Sequence, residues 1–193
     1  MAASDLAAPV LLLALPQVTD PFFRKSVVLL LAHEDEGSFG FIVNRRTELK
    51  VADILRDLGL EWRGDPAQLA AFGGPVQPQV GSVLFEAGAA PTDLPGASEV
   101  LPGIHITQHL AGLERLSRQP PVRFRLLLGH AGWGPGQLVS EILRNDWLTA
   151  PVATELLFGE DTEATWEHGL RAVGVDPGSL PAWTEGEPEG GAN

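Results

Sequence analysis

The sequence predicts an α+β fold, with a mainly antiparallel or mixed β-sheet or partial barrel as its core and helices covering it. Three observations lead there. Short apolar runs with β-branched residues recur, of which residues 26–32 (SVVLLLA) are the clearest buried strand. Between them lie segments with helical spacing, such as Val51, Ile54, Leu55 and Leu58 at i, i+3, i+4 and i+7. Several strand-to-strand connections are also shorter than the roughly dozen residues that a parallel crossover needs.

Residues 10–14 read as a first strand, followed by a loop marked by Pro16 and Pro21. Residues 26–32 and 39–43 form a hairpin across a polar connection, residues 34–38, that contains Gly37. The helix of Val51–Leu58 ends at Gly59. Residues 69–72 make a short strand, stopped by Gly73-Gly74-Pro75, and residues 82–86 make another. Residues 87–97, rich in Ala, Gly and Pro, read as a surface loop. Short strands at 99–101 and 104–106 precede a helix carrying Leu110, Leu113 and Leu116, with Thr107 as its expected cap. Residues 122–128 (VRFRLLL) alternate and then turn wholly apolar, as in a central strand. Residues 129–135 are expected to be a glycine-rich turn, leading into a helix over 136–145 with Leu138, Ile142 and Leu143 inward. Residues 154–158 and 162–173 complete the helices, the latter through Trp166, Leu170 and Val173. One domain over residues 1–183 is expected, with an acidic disordered tail at 184–193.

Composition narrows the function classes. The net charge of −12 lacks the basic footprint of a nucleic-acid binder and disfavours anionic membranes. With no cysteine, thiolate zinc sites, iron–sulfur ligation by Cys, thiol catalysis and disulfides are excluded, and a cytoplasmic location is favoured. The apolar residues 10–15 follow a segment without Lys or Arg that contains Asp5 and Pro9, so they read as a strand and not as a signal peptide. The later apolar run at 27–32 is far too short for a membrane span.

The candidate chemistry is sparse. His33-Glu34 begins like a zincin motif, but position 37 is Gly where the second His is required. His105 and His109 have helical metal-ligand spacing, yet they straddle the expected start of a helix. Gly37-Ser38-Phe39-Gly40 lacks the first glycine of a nucleophile elbow. No metal and no cofactor are therefore expected. Residues 129–137 (GHAGWGPGQ) place glycines between a strand and a helix, an order that suits an anion at a helix N-terminus. Neither the Walker A pattern nor GxGxxG is met, and a tight turn with positive φ angles accounts for the same residues. Arg24-Lys25, Arg45-Arg46 and Arg123/Arg125 are the basic clusters. Arg123 and Arg125 share a strand face and could meet a phosphate or a carboxylate, although such pairs are ordinarily just solvated.

These segments, in order, resemble the YqgE/AlgH family of bacterial proteins. The resemblance runs from Leu11 to about Leu180 and rests on residues 20–28 (DPFFRKSVV), 40–45 (GFIVNR), 73–76 (GGPV), 129–138 (GHAGWGPGQL) and 145–148 (NDWL). It implies a compact α+β protein with a sheet or partial-barrel core, and no established reaction. Some members are labelled transcriptional regulators, but nothing here looks like a helix-turn-helix, so tight sequence-specific DNA binding is not expected. The reading that results is a non-enzymatic regulatory or adaptor protein that binds an unidentified protein or a small anionic ligand. The alternative is an enzyme or nucleotide-binding protein using the 129–137 loop. The candidate ligand or partner site comprises Asn44, Arg45, Gly73, Gly74, Pro75, His130, Trp133 and Gln137, three turn-like segments expected to converge at one edge of the sheet.

Overall fold

The computed structural model describes residues 6–88 and 93–183. The tail expected at 184–193 lies outside them, as do residues 89–92 of the expected surface loop. Ten strands form one curled, half-barrel sheet. They are β1 (Val10–Ala14), β2 (Val27–Glu34), β3 (Gly37–Ile42), β4 (Arg46–Lys50), β5 (Leu69–Phe72), β6 (Val76–Glu86), β7 (Ala97–Leu101), β8 (Ile104–Thr107), β9 (Phe124–Trp133) and β10 (Trp147–Ala150). The main path runs β10-β1-β2-β3-β9-β6-β8-β7, with β5 joined to β9 and β4 to β5. The β5/β9 pair is parallel and the other described pairs are antiparallel. Among the described residues, five α-helices accompany the sheet, α1 (Val51–Asp57), α2 (Leu110–Arg118), α3 (Gln137–Leu143), α4 (Thr154–Leu157) and α5 (Thr162–Ala172), with a short 3-10 helix at Pro177–Ser179.

The wholly apolar strands near the N-terminus are buried on both faces. Leu11, Leu13, Val27 and Leu29 point into one cluster with Phe41, Trp166 and Leu170. Their neighbours Leu12, Val28 and Leu30 point the other way, against Ala131, Trp133, Leu138 and Trp147. Successive strand side chains alternate between faces, so a strand covered on both sides must be apolar at every position. A third cluster packs α1 and α2 on β6 and β9 through Leu55, Phe85, Leu113, Leu116 and Leu126. Trp166 also donates its indole N–H to the Ala14 carbonyl at 2.8 Å, which anchors α5 to β1.

The structure departs from the sequence reading at identifiable places. The β2/β3 hairpin is tighter than expected: Glu34 pairs with Gly37 across two residues, and a bulge between Leu30 and Ala32 absorbs the difference. Strand β6 begins at Val76, six residues earlier than expected, and passes Pro78 because its register with β9 breaks between Val76 and Gly81. Proline is tolerated there since the interrupted ladder asks for no N–H. Thr107 ends β8 and does not cap α2, whose N-terminal flanking residue is His109. Leu143, expected inside, is 71% exposed. Strands β4 and β10 have no counterpart in the sequence reading. Each is short, and its polar residues are licensed only by the partner strand.

Strand β9 runs on through Gly129, His130, Ala131 and Gly132 to Trp133. The expected turn is therefore mostly strand, and only Gly134–Gly136 bend the chain into α3. The glycines serve close backbone approach instead. A methyl on Gly73 would lie 2.3 Å from the Gly129 carbonyl oxygen, and one on Gly74 (φ +151°) would lie 2.1 Å from the carbonyl of His130. Gly74→Ala combines that clash with a backbone angle that side chains avoid, and it should destabilise the protein by about 2–4 kcal/mol in urea unfolding. Gly59→Ala meets no atom within 4 Å, and its cost should be limited to the positive-φ term, about 1 kcal/mol.

Candidate functional site

The three candidate segments do meet. The Ile42 amide donates to the Gly73 carbonyl at 2.8 Å, and the Phe72 amide donates to the Arg45 carbonyl at 2.8 Å. The Gly73 amide donates to the Leu128 carbonyl at 2.7 Å, and Gly74 lies against His130. They meet as packed backbone, side by side, and not around an open cleft.

The polar side chains there serve the frame. Asn44 is 1% exposed. Its Oδ1 accepts the Val27 amide at 2.8 Å, and its Nδ2 donates to the carbonyls of Lys25 at 2.9 Å and Thr162 at 2.8 Å. One side chain thus ties the start of β2, the preceding loop and the start of α5. Arg45 is half-buried and donates to the Arg24 carbonyl at 2.7 Å. Burial lowers its pKa, an effect that Asp20 opposes. Its Nε is buried without a partner among the described residues. An Arg45→Ala change would therefore cost stability, contrary to what a surface binding residue implies.

Trp133 is buried, at 6% exposure, and packs against Trp147 and Phe23. Its indole N–H donates to Glu141 Oε2 at 2.9 Å, and that of Trp147 donates to the same oxygen at 2.8 Å. Gln137 donates to Glu141 Oε1 at 2.9 Å and accepts the Gly134 amide at 3.0 Å. The Trp133–Gln137 stretch is thus a clasp around one carboxylate. Glu141 is not among the candidate residues of the sequence, because only the fold brings both indoles to it. Pro75 is exposed beside the buried Gly73 and Gly74. His130 is half-buried and packs on Phe39 with ring centroids 4.8 Å apart. Burial lowers its pKa from the usual 6.5.

Helix α3 spans seven residues behind a left-handed Gly136 and has no side-chain cap. With β9 amides spent on the ladder, the 129–137 segment holds no phosphate cradle. His33 Nδ1 lies 2.7 Å from Ser38 Oγ across the β2/β3 hairpin. Among the described residues no carboxylate bonds to the opposite ring nitrogen, so the pair braces the hairpin. His105 and His109 sit on β8 and at the start of α2 and share no helix face. Among the described residues, no three His, Asp or Glu side chains group as metal ligands.

Cations gather next door. A pocket of about 500 Å³ is lined by Arg46, Arg123 and Arg125 together with Asp65, Gln68, Phe124, Phe158 and Glu160. Arg125 donates to the carbonyls of Val43 and Gly159, the latter at 2.7 Å, and lies 6.0 Å from the Phe158 ring centre. Burial and the neighbouring Arg46 charge bring its pKa down to about 10, against the pull of Glu160, so it stays cationic at neutral pH. Arg46 pairs with Glu160 at 2.8 Å and Arg123 reaches Glu86 at 3.5 Å. The alternation of Arg123 and Arg125 in the sequence signalled a shared face. The arrival of Arg46 beside them was not legible, because β4 is not. A larger groove of about 760 Å³ carries Arg63, Arg115 and Arg118. Each of those arginines reaches a carboxylate, Glu61, Asp93 or Glu114, within 3.4 Å.

The family model described as AlgH-like matches residues 11–178. The chain belongs to the AlgH-like family. It is 41% identical over 175 residues to a UPF0301 protein of Myxococcus xanthus, a match covering 90% of this chain and 94% of that one. A UPF0301 protein of Paracoccus denitrificans is 38% identical over 176 residues, covering 86% and 90%. The solution structure of the AlgH protein from Pseudomonas aeruginosa is similar at a TM-score of 0.69 and 28% identity, over 89% of this chain and 94% of that one. A crystal structure of protein DIP2367 from Corynebacterium diphtheriae reaches the same TM-score at 23% identity, over 86% and 87%, and shows the likeness of fold alone. The fold expected from the resemblance is thus the AlgH-like one, and among the described residues no helix is long and apolar enough to cross a membrane.

Two outcomes test this account of the AlgH-like frame. Asn44→Ala strips a buried amide and two carbonyls of their partner, and should cost about 3 kcal/mol in denaturant unfolding. A solvent-facing ligand contact would cost almost nothing. His130, whose pKa is lowered in the fold, contributes stability that is present above about pH 6.5 and is lost as pH falls toward the folded value, because the unfolded chain takes the proton first. His130→Gln should flatten that part of the decline in melting temperature below about pH 6.5.

Proposed function

We propose that this AlgH-like protein acts by binding and not by catalysis, as a cytoplasmic regulatory or adaptor protein whose ligand or partner is anionic. The observation that carries the reading is the pocket of Arg46, Arg123 and Arg125. The chain carries a net charge of −12 with only 13 Lys and Arg, yet three of these cations line one small concavity. Arginine is suited to recognising carboxylate and phosphate through its planar fork of donors. It is a poor acid or base at neutral pH, and the two carboxylates of the lining are engaged, Glu160 with Arg46 at 2.8 Å and Asp65 with the Ala67 amide at 2.8 Å. A volume of about 500 Å³ is within the range of small-molecule sites. The backbone contacts around Asn44, Gly73 and Gly129 support the reading indirectly, since they hold rigid the segments that carry these arginines. The regulator label borne by the family fits such a role through a bound ligand or protein partner, without a DNA-reading element.

A metabolite screen by thermal shift tests this. Acidic metabolites should raise the melting temperature of the wild-type protein by several degrees at about a hundredfold excess over Kd. The Arg46→Gln/Arg123→Gln double variant should lose that response. Hits that are consumed during incubation, or that stabilise the double variant equally, would sink the proposal.

A further inference from the structure

The arginine pocket has a built-in occupant. Arg46 is bonded to Glu160, whose side chain is 83% exposed. The backbone on either side of Glu160 is pinned: Arg125 holds the Gly159 carbonyl at 2.7 Å, and Asp161 caps α5 by accepting the Ala164 amide at 2.7 Å. The Glu160 carboxylate can therefore leave Arg46 by side-chain rotation alone. Exposed ion pairs of this kind are weak and readily exchanged. Arg125 has two recorded bonds, both to carbonyls, out of five N–H donors. Its Nε makes neither bond and is not buried, which leaves at least that donor accessible.

We propose that this pocket takes the phosphate monoester of a small organic molecule, and that Glu160 is its internal competitor, displaced from Arg46 when the phosphate binds. The proposal rests on the binding reading above and goes beyond it in naming the ligand class and the device that opposes it. A phosphate monoester carries close to two negative charges and three acceptor oxygens, a better match to three guanidinium groups than one carboxylate with two oxygens. The volume exceeds that of a bare phosphate, and Phe158, whose ring centre lies 6.0 Å from the Arg125 guanidinium, supplies apolar wall for the attached group. Asp65 is the other carboxylate at the rim. It is committed to the Ala67 amide at 2.8 Å, which leaves Glu160 as the lining carboxylate that pairs with a pocket arginine; Glu86 reaches Arg123 at 3.5 Å from outside the lining.

The test is titration of the full chain at low ionic strength with phenyl phosphate, inorganic phosphate and benzoate, followed by arginine Nε–H and backbone resonances. Wild type, Glu160→Gln and Arg46→Gln are compared, and melting curves verify that each is folded. Both substituted side chains are largely exposed, at 83% and 46%. Phenyl phosphate should perturb the pocket and bind at least about tenfold more tightly than benzoate. Arg46→Gln should weaken it by about tenfold or more, and Glu160→Gln should tighten it by about fivefold, the strength of a displaced exposed ion pair. Equal affinity for benzoate overturns the phosphate assignment. Binding that is unchanged in Glu160→Gln overturns the competitor role while leaving anion binding intact. If no probe perturbs the pocket in wild type or Glu160→Gln, this inference and the binding reading both fall.

Discussion

The contact between the backbones of β5 and β9 governs the rest of the molecule. Gly73 and Gly74 lie so close to Gly129 and His130 that no side chain fits between them. That approach sets the one parallel pairing described in the sheet, Ala71 with Leu127 and Phe72 with Leu128. It also lets β6 run antiparallel on the far side of β9, bending where Gly81 meets Leu128. A half-barrel needs such places, because a sheet of bulky residues resists tight curling and glycines at bends relieve the crowding. The glycine-rich stretch that resembles an anion loop in one dimension is therefore the hinge of a curved sheet in three.

From that contact follows the division of labour among the basic residues. Arg45 and Arg46 are neighbours, but strand alternation sends them to different places. Arg45 turns inward to the Arg24 carbonyl, and Arg46 turns out toward Glu160. Because β4 lies against β5, and β5 against β9, Arg46 comes to rest beside Arg123 and Arg125. Three guanidinium groups around one concavity repel one another unless carboxylates, carbonyls or a ligand answer them. Glu160 answers Arg46, Glu86 answers Arg123 weakly, and the carbonyls of Val43 and Gly159 answer Arg125.

Burial also explains why the candidate side chains turned out to be structural. Asn44 in a turn reads as polar and accessible, yet the start of β2, the loop before it and the start of α5 close on it and use all three of its bonds. Trp133, a candidate site residue by its sequence, is half of a buried tryptophan pair that shares the Glu141 carboxylate. The partners of Asn44 lie 17 to 118 residues away, and Glu141, only eight residues from Trp133, reaches it across the bend into α3; a buried polar group must find partners somewhere.

Local pattern was enough for some features. The double-sided burial of β1 and β2 followed from their unbroken apolar runs, the helices α1, α2 and α5 from their 3.6-residue stripes, and the antiparallel sheet from connection lengths. The ordered motifs from Leu11 onward were enough for the family. Tertiary structure decided the remainder: that residues 129–133 extend a strand, that Arg46–Lys50 and Trp147–Ala150 are strands at all, and that Arg46, Arg123 and Arg125 face one cavity. The reason is physical. A helix closes its hydrogen bonds within its own few residues and leaves its mark on local sequence, whereas a strand's partners are supplied by whatever segment the fold lays beside it.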